Sequence, residues 1–277
     1  MKYPKIMIAL LTKNDAKTLP RFLKAMKGLD YPKKKMRWVW IYGKSVDDTL
    51  DIILEFHKKN KYPYEIYEEP VFERKLDSAL YNAYLCNLFK TLIKDEEYVL
   101  FADTDIVEIP PHTLKELIRV NKDIVAPYVY IEGTKRFFDS YVFRIGGWTF
   151  ANVKTEKKEY DVFHPPFKDR KEPVELDSVG TFFLIKRKVF LEVNWDNPVP
   201  HLQFNLNARK KGYKVYALPY LKIYHANIEN LEAPHYPVEY YVQKGLLPAS
   251  ELEKIGYKRV GRNRWEWKAK PLKMNLD

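Results

Sequence analysis

Tyr98–Pro111 reads YVLFADTDIVEIPP. The apolar run from Tyr98 to Phe101 predicts a buried strand, and Asp103-Thr104-Asp105 follows almost at once. On an extended backbone residues i and i+2 point the same way. Asp103 and Asp105 are therefore expected to present two carboxylates to one spot, with Thr104 turned away. Paired hard oxygens at a strand's carboxyl end suit Mg2+ or Mn2+ held against a diphosphate. A D-x-D triplet can equally cap a solvated turn. Its place after a buried strand and before Pro110-Pro111 favours the site reading.

The flanking sequence alternates strand-like and helix-like segments. Lys5–Thr12 reads as a first strand, with Asn14-Asp15 opening a helix through Leu19–Met26. Arg37–Tyr42 is a second strand, and Ser45 or Asp47 caps a helix over Asp48–His57. Tyr64–Tyr67 is a short third strand, and apolar residues at Leu76, Leu80, Ala83, Tyr84 and Leu88 predict a long helix over Glu73–Ile93. A helix over Pro111–Val120 and a strand over Asp123–Tyr130 follow the D-x-D turn. This order predicts an α/β fold with a mainly parallel sheet flanked by helices. Ligands in such sheets sit beyond the carboxyl ends of the strands, where the two aspartates lie.

The second half is less regular. Phe143–Ala151 reads as a strand with an irregularity at Gly146-Gly147, and Asn152–Glu175 as a long surface loop. Val179–Ile185 is a buried strand, Lys186–Val193 a short helix, and Leu202–Lys211 a helix ended by Gly212. Tyr213–Leu218 and Leu221–Tyr224 read as two final strands, with His225 directly after. Residues 228–277 form a basic, aromatic extension, expected to pack on the domain or lie at a membrane surface.

The 277 residues suffice for one large domain, and 46% hydrophobic with 31% charged residues predicts a folded core. No apolar run approaches the roughly 20 residues of a membrane span. The one cysteine, Cys86, rules out an internal disulfide and fits a reducing, cytoplasmic setting with peripheral contact at the inner membrane face through the tail. Cys86 itself reads as a packed core thiol. The net charge of +11 admits nucleic acid, an anionic membrane or anionic substrates as partners; lysine abundance can also be a compositional habit.

Further residues carry candidate chemistry. A neutral His225 imidazole can complete a metal site with Asp105. Thr12, Asn14, Ser45 and Asp47, in the loops after strands one and two, can hold a base and ribose, or simply cap helices. Arg74, at the start of the long helix, can neutralise phosphate.

Together these segments resemble the A-type fold of nucleotide-sugar-dependent glycosyltransferases. ALLTKNDAKTLPRFLKAMKGLDYP and IYGKSVDDT resemble the opening of family 2 of the inverting enzymes. The D-x-D segment through APYVY, with FFDSYVF and LDSVGTFFLIKRKVF, is similar to the retaining, mannan-polymerase-type α-mannosyltransferases. ARKKGYKVYALPYLKIYH resembles the domain's end in both groups. The resemblance runs over about residues 5–227 and implies a catalytic domain over 1–227. Its nucleotide-sugar half would be about 1–130 and its acceptor half about 131–227.

The resemblance implies Mn2+ or Mg2+ held by Asp105 and His225, with Asp103 as ribose contact or further metal-side ligand. Thr12, Asn14, Ser45 and Asp47 become nucleotide contacts, and Arg74 a diphosphate contact. Asp139 and Asp177 fall on the acceptor side. The donor would be a nucleoside diphosphate sugar, GDP-mannose first, and the acceptor a glycan or lipid-linked glycan. Two departures stand out. Tyr42-Gly43 occupy the place where family 2 carries a base-reading acid, and Asn197–Gln203 lacks that family's Glu-Asp pair. Asp177, Asp196 and His201 remain as candidate bases, and the missing pair leans towards retention. A nucleotidyltransferase would need a glycine-rich loop that LLTKNDAKT lacks. A non-catalytic basic module binding nucleic acid or glycan is the other alternative, nucleic acid being the less expected partner.

Overall fold

The computed structural model describes residues 3–69, 78–151, 161–196 and 198–227, together with two strands at 257–261 and 264–267. Strands β1 (Ile6–Thr12), β2 (Met36–Tyr42), β3 (Tyr64–Glu68) and β4 (Tyr98–Ala102) form a parallel group, ordered β3-β2-β1-β4. Their near-continuous apolar runs have the physical reason expected of a sheet covered on both faces. One face carries Met7, Ala9, Val99 and Phe101 against Cys86 and Phe89 of α3 (Ser78–Leu92). The other carries Ile6, Ile8 and Leu10 against Phe22 and Leu23 of α1 (Leu19–Lys27) and Ile53 of α2 (Thr49–Asn60).

Beyond β4 the sheet mixes direction. After β5 (Ile106–Glu108), α4 (Thr113–Arg119) and β6 (Ile124–Ile131), the chain makes a hairpin of β7 (Arg144–Ile145) and β8 (Trp148–Thr149). The irregularity expected at Gly146-Gly147 is the turn of that hairpin, both glycines having positive φ. β9 (Val174–Leu176), β10 (Phe182–Lys186), α5 (Arg187–Glu192), α6 (Pro200–Lys210) and β11 (Val215–His225) follow. β10 lies antiparallel between β4 and β6, so a second-half strand is built into the middle of the first-half sheet. Among the described residues the sheet has nine strands. The two strands expected at the end are one, β11, whose register shifts between Leu218 and Lys222 around Pro219. Proline has no N–H for the ladder, so the strand kinks there and resumes.

Buried ion pairing fixes the sheet's amino end. Arg37 donates to Glu96 at 2.5 Å and Glu65 at 3.0 Å, and to the Leu92 carbonyl at 2.8 Å. Strands β12 (Tyr257–Gly261) and β13 (Arg264–Trp267) form a separate antiparallel pair. The rest of the 228–277 extension, and Arg74 with the start of its helix, lie outside the described residues. No helix among those described is long and apolar enough to cross a membrane.

Candidate active site

A cleft of about 740 Å³ opens at the carboxyl ends of β1, β3, β4 and β11. Thr12, Lys13 and Asp15 line it from the loop after β1, Glu69 from the end of β3, and Asp103, Thr104 and Asp105 from the turn between β4 and β5. His225 closes it from the end of β11, Phe138 from the loop after β6, Pro200 and His201 from the start of α6, and Cys86 from α3. The volume suits a bound small molecule with several polar anchors.

Asp105 and His225 meet here. His225 Nε2 lies 2.8 Å from Asp105 Oδ2, and the two side chains are only 3% and 6% exposed. His225 Nδ1 lies 2.7 Å from the Ala226 carbonyl, which can only accept. Nδ1 therefore carries a proton. Nε2 is then the ring nitrogen that faces the Asp105 carboxylate, an arrangement in which both atoms could ligate one divalent ion. Two adjacent ligands of an octahedral ion, each at about 2.1 Å, lie about 3.0 Å apart. The observed separation is close to that, so the pair fits two positions of a Mg2+ or Mn2+ shell. Among the described residues no third His, Cys, Asp or Glu joins them in a metal-sized cluster. Asp103 thus stands beside the pair in the cleft without forming the three-ligand set expected. Such ions usually complete their shell with water and substrate phosphate.

The pair is held by backbone as well. The Ala226 N–H donates to the Asp105 carbonyl at 2.8 Å, and the Glu132 N–H donates to the His225 carbonyl at 2.9 Å. Glu132 in turn pairs with Arg21 and accepts from the Asn227 N–H at 3.0 Å. The Phe138 ring stacks on His225 at 3.6 Å and 14°, fixing the imidazole plane. Hydrogen bonding at the far nitrogen and packing against the ring are the usual means of orienting a ligating histidine.

Thr104 does not turn away as the alternating pattern predicts. The backbone at 103–105 is a turn, not a continued strand, and Thr104 Oγ1 donates to Asp15 Oδ2 at 2.7 Å. The same oxygen accepts from Thr12 Oγ1 at 2.6 Å and from the Lys13 N–H at 3.2 Å. Asp15 is thus a buried hub at the base of the cleft and more than the helix start its position predicts. The signal available was Thr12-x-x-Asp15, the spacing of a reciprocal cap.

The other loop residues serve the scaffold. The Asn14 N–H donates to Ser45 Oγ at 3.0 Å, and Asn14 Oδ1 accepts from the Val46 N–H at 2.9 Å. Asp47 accepts from the Ala16 N–H at 3.0 Å and from Thr49 Oγ1 at 2.5 Å. Asn14, Ser45 and Asp47 therefore lock the first two loops together, and of the four expected nucleotide contacts there only Thr12 lines the cleft. Glu69 was missed. It reaches the cleft wall near Gly43 and pairs with Lys13 at 3.0 Å.

The acceptor-side candidates separate. Asp177 accepts from the Gly147 N–H at 2.7 Å and pairs with Arg209 at 3.2 Å, tying the β7–β8 hairpin to α6. Asp177 and the exposed Asp196 do not line the cleft. His201 does, but it sits among Phe101, Phe183 and Trp195, with ring centroids 5.0–5.7 Å away. Burial pushes its pKa down to about 4, and Nε2 has no hydrogen-bond partner. Asp139 packs against Gly180 and accepts from Thr181 Oγ1 at 2.7 Å. Removal from water pushes its carboxyl up to about 6. Thr181 has φ of 65°, a strained value for a β-branched residue, and its carbonyl accepts from the Asp103 N–H at 2.8 Å.

Comparison with known proteins agrees with this architecture. Residues 3–83 match the family model "Glycosyltransferase family 25, N-terminal domain", and residues 74–144 match the model "Anp1". The chain is 30% identical over 149 residues to human procollagen galactosyltransferase 2, which covers 48% of this chain and 24% of that protein. The chain thus spans about a quarter of that relative's length. GalNAc-T7 with UDP, GalNAc and Mn2+ superposes with a TM-score of 0.59 at 16% identity, over 87% of this chain and 46% of that one. The mannosyltransferase PcManGT from Pyrobaculum calidifontis, with GDP-Man and Mn2+, superposes with a TM-score of 0.56 at 15% identity, over 92% and 68%. The chain has the glycosyltransferase A-type fold.

Proposed function

We propose that this chain is a metal-dependent glycosyltransferase moving a hexose from a nucleoside diphosphate sugar to a glycan or lipid-linked acceptor. The observation that carries the reading is the buried Asp105–His225 pair at 2.8 Å, at the mouth of a cleft built from strand carboxyl ends. Asp105 Oδ2 and His225 Nε2 would hold Mn2+ or Mg2+, with Asp103 contacting the ribose or an ion-bound water. The ion, when bound, supplies positive charge where the nucleoside diphosphate departs.

The chain's own residues do the rest. Thr12, Lys13 and Glu69 shape the nucleotide end of the cleft, with Asp15 and Thr104 fixing its floor. Arg74, by its resemblance, meets the diphosphate. Residues 1–227 form the catalytic unit, with Asp139 on the acceptor side. Retention of configuration is favoured. Asp177 and Asp196 lie outside the cleft, and His201, with its pKa near 4, is a weak proton acceptor at neutral pH. GDP-mannose is the donor expected from the sequence. UDP-galactose joins it because residues of this chain are similar to a protein named for galactosyl transfer.

The test is thermal stabilisation by UDP, GDP, UDP-galactose and GDP-mannose, with and without Mn2+, in the wild type and Asp105→Asn. A ligand at about a hundred times its Kd adds roughly 2.7 kcal/mol. One nucleotide should stabilise the wild type only when Mn2+ is present, and Asp105→Asn should lose that increment. A wild type that no nucleotide stabilises under either condition refutes the proposal.

A further inference from the structure

A cluster of lysines lies at the amino ends of β2 and β3, the end of the sheet opposite the cleft. α1 ends in Lys24 and Lys27, and the chain then makes a 3-10 turn at Lys33–Lys35 before entering β2. α2 ends in Lys58 and Lys59, followed by Lys61 before β3 begins. β2 and β3 are parallel neighbours, so both connections lie side by side at their amino ends. Lys33 Nζ donates across the gap to the Asn60 carbonyl at 3.2 Å and stands 5.2 Å from the Tyr62 ring centre. Segments 24–35 and 58–61 hold eight lysines and one acid, Asp30, which is paired with Lys115.

Lys24, Lys27, Lys34, Lys58 and Lys61 are exposed, and none forms a salt bridge among the described residues. Lysines in a helix's last turn gain from its dipole, which accounts for Lys24, Lys27 and Lys58. It does not account for Lys34 and Lys61, which lie outside the helices. Like charges crowded together destabilise a fold unless a counter-charge is met.

We propose that this end of the molecule docks on an anionic lipid bilayer. Three features favour headgroups over nucleic acid. All eight cations are lysines, whereas bidentate recognition of phosphate and bases draws on arginine. Tyr31 and Tyr62, the aromatics within these connections, are buried, so no platform is offered for base stacking. The lysines also spread over two adjacent turns instead of lining a groove. No large hydrophobic side chain is exposed in either segment, so the contact is electrostatic and shallow. A strand of seven residues spans about 23 Å, so docking this end turns the cleft towards solution, well clear of the headgroups. The inference does not depend on the reaction proposed above.

The experiment is co-sedimentation of the full chain with vesicles of phosphatidylcholine alone, or mixed with phosphatidylserine. Wild type is compared with Lys24→Gln/Lys27→Gln/Lys34→Gln/Lys58→Gln/Lys61→Gln and with Arg259→Gln/Arg262→Gln/Arg264→Gln. The five changes are on exposed positions, and circular dichroism with thermal unfolding checks that the fold is kept. Wild type should bind only the anionic vesicles and release them at about 0.5 M salt, where the Debye length is only a few ångströms. The five-lysine variant should lose at least tenfold in partitioning, and the arginine variant should keep its binding. Equal binding to neutral vesicles, retained binding by the five-lysine variant, or loss only in the arginine variant overturns the proposal. So does tighter binding of a short RNA duplex than of vesicles at equal phosphate, abolished by the same five changes.

Discussion

Gly180→Ala is the sharpest mechanical probe of the packing around Asp139 and Thr181. A Cβ added there would lie closer than 3.0 Å to Asp139 Oδ2, nearer than real Cβ atoms come, and at 3.0 Å from Val142 Cγ1. The carboxylate must give way, and it is held by Thr181 Oγ1 at 2.7 Å. Overpacking costs about 1–3 kcal/mol, and a lost hydrogen bond to a charged group about 1.5–3 kcal/mol. Moving the carboxyl back towards water offsets part of that, since burial raises its pKa to about 6. A net loss of about 2–3 kcal/mol follows. In urea, with a slope near 3 kcal/mol per molar, the midpoint should fall by about 0.7–1 M at unchanged slope. In an Asp139→Ala background the clash partner is gone, and only the Val142 contact remains. The same glycine change should then cost about 1–2 kcal/mol less, a coupling that a double-mutant cycle reads directly. Gly180→Ala without measurable loss, or with an undiminished cost in the Asp139→Ala background, would falsify this packing account.

Three further outcomes follow from other residues. Thr181→Gly should be more stable than Thr181→Ala by about 1 kcal/mol in urea unfolding, because alanine keeps the penalty of positive φ and glycine does not; the usual order, with alanine ahead, would contradict the strain. His201 binds a proton below about 6.5 when unfolded but only near 4 when folded, so its contribution to stability is present above that window and lost as pH falls through it. His201→Phe should therefore unfold with a flatter pH dependence between about 6.5 and 4, gaining roughly 3 kcal/mol relative to wild type at the acid end; parallel curves would refute it. Arg37→Leu leaves Glu96, whose side chain is 3% exposed, without its counter-charge and should cost about 3 kcal/mol by chemical denaturation. A loss under about 1 kcal/mol would show that water reaches the carboxylate.

The parallel half of the fold is legible because its strands are buried on both faces and its turns carry local chemistry. Ile6–Thr12, Met36–Tyr42 and Tyr98–Ala102 announce themselves as apolar runs. β10 announces itself too, but its direction does not. Whether Phe182–Lys186 runs with or against β4 depends on partners far along the chain. Asp105 and His225 are legible as candidates because each follows a strand. Asn14, Ser45 and Asp47 show the opposite difficulty, since a polar residue after a strand can face a ligand or bind the next loop. Asp15 and Glu69 stayed hidden because their roles come from residues 89 and 56 positions away, Thr104 and Lys13. Thr104 was misplaced because a turn breaks the two-residue alternation just where the site begins.

The backbone clasp at Ala226 has a temporal consequence. The second half of the candidate metal pair arrives on the last strand of the sheet, 120 residues after the first. During synthesis the β1–β4 layer can assemble while the D-x-D turn has no histidine to meet. Only when β11 slots between β6 and β5 does Ala226 reach the Asp105 carbonyl and His225 reach the carboxylate. Contacts of such sequence separation form late and slowly. Ion-binding competence would then be a timestamp of completed folding: a nascent or truncated chain ending before His225 can look structured and still be chemically mute.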